Sequence, residues 1–389
     1  MPLGFVTVEA TVTTGLEKVA AEEVTEQFPD TPVKTQRGRI YFDVEIDKLP
    51  EAFKLRCVDN LYALIYRRDD FSFDQEDKDS CLQQTCAALI DADWQSGLLA
   101  WQSAYDRPLP PKADPTTVLQ RLKHANESQQ SVQGLFADSE VPTFRVTCYR
   151  GGTGHVFQSP DLARAFGAVL AEGLGWKVKL KKFDLEIVIN VLFGSLWMSI
   201  ALTTQSLHRR NMDALGATTL RPTVAQGMLR LAEIEPFGVI CDPMCGSGSI
   251  PVEAAATWPQ LTIYAGDCSE VAMEKTRQNI YRFLIEPILW DATSCPLKND
   301  SIDRIVTDLP FGKRMGSKRM NKSLYPDLLK EFARICKPSG RAVLLTQDRK
   351  HMIKAVSDSK EIWKPTRTLN VNVGGLTATI FVLKSVNVK

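Results

Sequence analysis

The chain is poor in the residues that build metal sites and disulfide frameworks. It has only four histidines, and none of its nine cysteines forms a Cys-x-x-Cys pair. Neither a zinc site nor a bridged scaffold is expected, and reduced thiols place the protein in the cytoplasm, with the nucleus as the other reducing compartment. An excess of one charge is lacking too: 47 basic against 46 acidic residues leave a net +1. That balance neither supports nor excludes a nucleic-acid partner, which local clusters decide. The opening Met-Pro-Leu-Gly-Phe-Val-Thr-Val has no basic leader and is not read as a signal peptide. No uninterrupted apolar run is long enough to span a membrane. Residues 185–202 come nearest, but Glu186, Asn190, Ser195 and Ser199 break them, so a β-hairpin turning at Phe193-Gly194-Ser195 is predicted.

What remains is the composition of an ordinary globular protein. Its 389 residues, 44% hydrophobic and 24% charged, suffice for two or three domains. Residues 1–70 alternate strand and helix signals and are predicted to form a ferredoxin-like α+β domain. Its first helix carries Leu16, Val19, Ala20 and Val24 on one face behind Thr13 or Thr14 as cap. Residues 71–140 turn polar, with Pro108-Leu109-Pro110-Pro111 as a breaker, and read as a linker or insertion, partly helical and partly disordered. Order returns over 141–210, with a strand Phe144–Tyr149, a helix opened by Ser159-Pro160 carrying Leu162, Phe166, Val169 and Leu170 on one face, and a basic strand over 177–182. From 211 to 389, strands and helices alternate with short connections. That is the pattern of a doubly wound parallel sheet, closed by a hairpin at Val373-Gly374-Gly375-Leu376.

Two motifs carry chemistry. Residues 241–253 read as strand end, glycine turn and helix start, with Asp242, Pro243, Cys245, Gly246 and Gly248 in the turn. The glycines let backbone approach a ligand closely, and the helix N-terminus behind them offers N–H groups to a carboxylate or phosphate. Three further strands end in acids: Asp267, Asp291 followed by Ala292, and Asp308. In an open α/β sheet the ligand lies outside these strand ends. Asp267 is placed for a ribose diol and Asp291 for an adenine amino group. A dinucleotide fits poorly, because the third glycine of Gly-x-Gly-x-x-Gly would fall on Pro251. S-adenosyl-L-methionine is the expected ligand.

The second motif is Asp308-Leu309-Pro310-Phe311. An exocyclic base amine is a weak nucleophile, and a site methylating it must accept its hydrogens and aim its lone pair. Asp308 and the carbonyl of Leu309 are the predicted acceptors, Pro310 stiffens the turn, and Phe311 offers a stacking face. Proton loss to Asp308 during transfer, or afterwards, both remain open. Cys245 is read as a packed thiol, and His208 and His351 have no catalytic partner visible in the sequence.

With these residues in view, the chain resembles the THUMP-domain tRNA methyltransferases that modify guanosine N2, the eukaryotic THUMP domain-containing protein 3 type among them. The likeness rests on Phe157-Gln158-Ser159, Glu172 to Val178, Ser206 to Arg210, Leu220-Arg221-Pro222-Thr223, the 242–248 loop, Gly266-Asp267 and Asp308 to Gly312. Leu309 stands where many relatives have a second proline. The resemblance implies a class I (Rossmann-like) methyltransferase domain behind ferredoxin-like and THUMP α+β domains. It also implies a front half that grips the tRNA acceptor end and a target guanosine in the acceptor stem, at position six in the best-known case. Two basic sets suit phosphates: Lys313, Arg314, Lys318, Arg319 and Lys322; and Lys177, Lys179, Lys181 and Lys182 with Arg209 and Arg210. Relatives also use a small zinc-binding activator subunit, for which an apolar edge strand over Phe283–Trp290 would be the docking edge. Three alternatives stay open: adenine N6, a protein glutamine amide, or an inactive relic that only binds tRNA.

Overall fold

The computed structural model describes every residue except 1–3, 107, 129, 130, 134, 138, 217, 218, 311–317 and 387–389. Two sheets carry the chain. The front sheet holds β1 (Phe5–Val12), β2 (Val33–Gln36), β3 (Arg39–Glu45), β4 (Val58–Arg68), β5 (Thr143–Gly151), β6 (Lys177–Val178), β7 (Leu185–Leu192) and β8 (Ser195–Ala201), in the order β2-β3-β1-β4-β8-β7-β5-β6. The segments 1–70 and 141–210, read from sequence as two domains, therefore share one sheet, stitched where β4 runs antiparallel to β8. The predicted hairpin is β7 and β8, and it turns through Phe193 at a φ of 52°.

Residues 71–140, expected as a linker or a partly helical insertion, form a helical insertion. They supply α3 (Lys78–Ala87), α4 (Trp94–Tyr105) and α5 (Pro115–Ser128). Trp94, Leu98 and Trp101, spaced one turn apart, are fully buried, and Trp94 meets Trp176 edge-on at 5.9 Å. Each such side chain contributes roughly 2–3 kcal/mol on burial, so this helical layer is part of the core. The polar residues that dominate the segment cover the outer faces of its helices.

Helix starts differ from expectation in detail. The helix α1 (Glu17–Gln27) takes no cap from Thr13 or Thr14; the Glu17 carboxylate instead accepts the N–H groups of Gly15 and Gly38 at 2.9 and 2.7 Å. A four-residue α2 (Leu49–Ala52) leads to β4. The helix α6 (Ser159–Leu174) is opened by a capping box between Gln158 and Asp161 and closed by Gly175 at a φ of 69°. Its buried face holds Leu162, Phe166 and Leu170, while Val169 points outward. The predicted basic strand shortens to β6, leaving Lys179, Lys181 and Lys182 exposed on the loop beyond it.

The rear sheet runs β11-β10-β9-β12-β13-β15-β14. Its parallel part consists of β9 (Val239–Asp242), β10 (Thr262–Asp267), β11 (Glu286–Leu289), β12 (Ile302–Asp308) and β13 (Cys336–Thr346). The antiparallel hairpin β14 (Trp363–Val373) and β15 (Leu376–Ser385) closes it. Gly374 and Gly375, at φ 59° and 83°, supply the left-handed turn that hairpin needs. The helices α7 (Pro222–Leu231), α8 (Ser249–Thr257), α9 (Glu270–Ile280), α10 (Lys318–Ile335) and α11 (Arg349–Asp358) accompany the strands.

The two sheets are docked through the front end of α1 and the start of β4. Asn372 N–H donates to Thr14 O at 3.0 Å. Thr223 Oγ1 donates to Asp59 Oδ1 at 2.8 Å. Gly15 lies so close to β14 that a Cβ there would sit 2.0 Å from Asn370 O. Among the described residues no helix is long and apolar enough to cross a membrane.

Candidate functional site

Parallel pairing in the order β11-β10-β9-β12 sets the ends of these four strands side by side. Asp242 closes β9, Asp267 closes β10 and Asp308 closes β12. The third acid, predicted at a strand end, lies two residues beyond β11 on a turn, where Asp291 Oδ1 accepts the N–H and hydroxyl of Thr293, both at 2.8 Å. Those bonds hold the Asp291 carboxyl below its ordinary range.

The glycine loop connects β9 to α8. Gly246 has a φ of 57°, and a Cβ added there would meet nothing within 4 Å; the loop backbone faces open space, as a ligand cradle requires. Gly248, at φ 86°, forms the N-cap of α8, and no side-chain cap occupies its first N–H groups among the described residues. Those groups stay available to an anion. Three side chains not anticipated from sequence fix the loop from behind. Thr276 Oγ1 donates to Gly246 O at 2.8 Å, Asn279 Nδ2 to Ser247 O at 2.8 Å, and Trp290 Nε1 to Pro243 O at 3.0 Å. Gly266 makes room for Trp290, since a Cβ there would fall 1.8 Å from the indole. Asp267 joins the loop to β10, accepting Gly246 N–H and Ser269 N–H at 2.9 Å each. Cys245 is buried beside Met273 and Thr276, packed as expected for a small apolar residue, and burial pushes its thiol well up. Ala292 is buried.

Asp242 and Asp308 stand apart from the other acids. Asp242 is 2% exposed, and its carboxyl is pushed up to about 7, mainly by burial, with the charge of Asp267 adding to the effect. Asp308 is half-buried as a residue, but its Oδ1 is buried and has no hydrogen-bond partner among the described residues. Burial raises its carboxyl well above the usual range, and Asp242 raises it further. A buried, unpaired acceptor costs about 1–3 kcal/mol, so it marks a place where a donor is meant to arrive. The turn after it is held in place by Leu309 N–H donating to Leu345 O at 2.9 Å, by Tyr325 OH donating to Pro310 O at 3.1 Å, and by Asn321 Nδ2 at 3.4 Å from that same oxygen. The Leu309 carbonyl accepts no hydrogen bond among the described residues, which leaves it free for the role of second acceptor. Asn321 and Tyr325 were missed from sequence; their only signal is the i, i+4 spacing that puts both on the inner face of α10.

Phe311, Lys313 and Arg314 lie outside the described residues, as do the side chains of Lys318 and Arg319. The second basic set is split. Lys177, Lys179, Lys181 and Lys182 lie at or just beyond the β6 edge, whereas Arg209 follows β8 on a connector bonded back to Asp59 of β4, four strand steps and about 19 Å away. Arg210 is corrected outright. Its guanidinium donates to Glu253, to Leu207 O and to Arg56 O, and so faces inward instead of toward phosphate. Both histidines gain partners that the sequence did not reveal: His351 Nδ1 lies 2.8 Å from Asp348, and His208 Nδ1 lies 2.6 Å from Ser206 Oγ and 3.6 Å from Asp59. A cavity of about 620 Å³ opens elsewhere, on the outer side of α9 beside Val271, Lys275 and Leu289.

Comparison with known proteins agrees with this geometry. The profile of the RMKL-like methyltransferase domain matches residues 209–379, and that of the THUMP domain matches 127–201. The chain is 37% identical to the tRNA (guanine(6)-N(2))-methyltransferase THUMP3 of Bos taurus, over 97% of this chain and 88% of that one. It is 26% identical to the U6 snRNA (guanine-N(2))-methyltransferase THUMPD2 of Mus musculus, over 90% of this chain and 76% of that one. The crystal structure of TrmN from Thermus thermophilus superposes with a TM-score of 0.74 at 26% identity, covering 98% of this chain and all of the other.

Proposed function

Because the chain belongs to the THUMP-domain tRNA guanine-N2-methyltransferases, we propose that it transfers a methyl group from S-adenosyl-L-methionine to the exocyclic N2 of a guanosine in tRNA, giving N2-methylguanosine. The observation that carries this reading is the unpartnered oxygen of Asp308, buried one strand away from the acid and glycines of the β9–α8 loop. The donor, when bound, supplies an electrophilic methyl on a sulfonium. Gly246 leaves space for its body, the free N–H groups at the start of α8 suit its carboxylate, and Asp267 and Asp291 offer acceptors for its ribose and adenine. Asp308 and the Leu309 carbonyl accept the two amine hydrogens of guanine and fix the direction of its lone pair. Asp308 would take the amine proton as a carboxylate, and the burial that raises its proton affinity makes it a stronger base for that step. Phe311 is the residue assigned to stack on the base.

The likeness to tRNA (guanine(6)-N(2))-methyltransferases supports a target at position 6. A guanosine there must leave its stem, at a cost of about a few kcal/mol, which phosphate contacts from Lys179, Lys181, Lys182 and Arg209 help to offset. The nine free cysteines fit work in the reducing cytoplasm or nucleus. A small zinc-binding activator subunit is the proposed partner. Its docking edge is β11, the outer strand of the rear sheet, where Leu289 is open to solvent, together with the segment leading into it, where Leu284 is 88% exposed and Tyr281 is also exposed. A chain fully active as an isolated monomer defeats that part.

Nucleoside analysis of tRNA from cells lacking the protein tests the reading. Loss of N2-methylguanosine from a defined set of tRNAs supports it, and an unchanged profile refutes it.

A further inference from the structure

Glu253 is completely buried, one turn into the helix that opens at the glycine loop, yet it belongs to no part of the reaction site. Two chain segments converge on its carboxylate, bringing three donor side chains. Arg56, from the front half, donates through Nε at 3.2 Å and Nη2 at 2.9 Å to Oε2. Arg210, from the connector between β8 and α7, reaches the same oxygen through Nη2 at 3.0 Å and places Nε 3.3 Å from both oxygens. Asn211 Nδ2 donates to Oε1 at 3.2 Å. Arg210 Nη2 also donates to the Arg56 carbonyl at 2.6 Å, locking the two arginine-bearing segments to each other.

An apolar cluster would glue these segments at least as well, because a buried ion pair costs desolvation that its attraction barely repays. What an apolar cluster lacks is direction. Planar guanidinium forks accept a carboxylate in few orientations, so a shared acid fixes angle and distance together. We infer that Glu253 is a positioning residue that sets the spacing between the RNA-gripping front sheet and the methyl-transfer pocket. The clamp holds the front half to the helix whose first turn cradles the donor, so a base delivered by the front half arrives in register with the methyl group. The inference rests on the methyl-transfer reading. It adds a requirement that neither ligand's own contacts supply.

The test compares wild type, Glu253→Gln, Arg56→Lys and the variant carrying both changes as full chains, with and without the activator subunit. Affinity for S-adenosyl-L-methionine is read by calorimetry, affinity for tRNA by filter binding, and single-turnover methylation by nucleoside mass spectrometry. Both binding constants are expected to stay within about threefold of wild type, since phosphate contacts carry the RNA grip and the loop itself is intact. The transfer rate of Glu253→Gln is expected to fall on the order of 10²-fold, the effect of misplacing reacting groups by an ångström or so, and that of Arg56→Lys by less. The double variant is expected to be no slower than Glu253→Gln alone, because one clamp is broken once. If Glu253→Gln fails to fold, Arg56→Lys, with its partly exposed side chain, decides alone. Transfer at the wild-type rate in folded variants overturns the inference, as does a rate loss matched by an equal loss of donor affinity. A wild type that makes no N2-methylguanosine defeats the underlying function instead.

Discussion

Glu9 in the front sheet and Asp308 in the rear sheet are both acids with buried oxygens, and they are treated in opposite ways. Glu9 is 1% exposed and fully partnered, with Arg39 Nε at 2.5 Å, Ser199 Oγ at 2.9 Å and Trp197 Nε1 at 3.2 Å. Asp308 keeps a buried oxygen with no partner among the described residues, and burial pushes the carboxyl of its neighbour Asp242 up to about 7. Glu253 follows the pattern of Glu9. A buried acid ringed by donors organises structure; one denied donors is strained toward its protonated form and waits for a ligand. The front sheet and the clamp hold acids of the first kind; in the pocket Asp267 and Asp291 are partnered as well, and Asp308 is the acid of the second kind.

Four substitutions break or sharpen this contrast. Asp242→Asn has the largest expected effect and makes the ligand-free protein more stable. The folded carboxyl holds its proton up to about pH 7, whereas the unfolded one releases it near pH 4. Between those values the folded state binds more protons, so stability falls as pH rises, and the full cost is present above about pH 7. The gain on removing it is on the order of 4 kcal/mol at most at pH 8 and vanishes below about pH 4, as denaturant melts at several pH values will read. Donor binding should be lost at the same time. Gly266→Ala comes next, at about 3 kcal/mol of destabilisation, because the new methyl collides with Trp290. The same melts check it, and weaker donor binding should accompany it, since Trp290 holds Pro243. Glu9→Ala should cost about 2 kcal/mol: Arg39 loses its anion and Trp197 and Ser199 lose their acceptor, but Arg39 keeps some water. Activity per folded molecule is expected to stay unchanged. Leu284→Glu should change the chain's own stability by less than about 0.5 kcal/mol, yet reduce co-purification with the activator subunit.

Much of this contrast was legible in the sequence. Acids at the ends of apolar runs, two glycines before a helix, and an acid-x-Pro-aromatic turn placed the pocket because each is a local pattern. What escaped was non-local. Nothing in residues 58–68 and 195–201 announces that they pair across about 130 residues of chain, so the sheet they share is not legible in the sequence. The 71–140 segment was judged by average polarity, although Trp94, Leu98 and Trp101 at helical spacing already marked a buried face. Arg210 sat in a basic run and was assigned to phosphate, while its partner, Glu253, lies 43 residues away on another helix. Asn321 and Tyr325 were hidden for the same reason: a helix residue that braces a distant turn has no signature of its own.

The most direct test follows the methylation of purified tRNA by wild type and Asp308→Asn, with tRNA affinity measured on the same samples. The expected result is N2-methylguanosine with wild type and a loss of at least about 10²-fold with Asp308→Asn, at nearly equal tRNA affinity and with a raised melting temperature. Methylation by Asp308→Asn at close to the wild-type rate would contradict the assignment of Asp308 and of the pocket built around it.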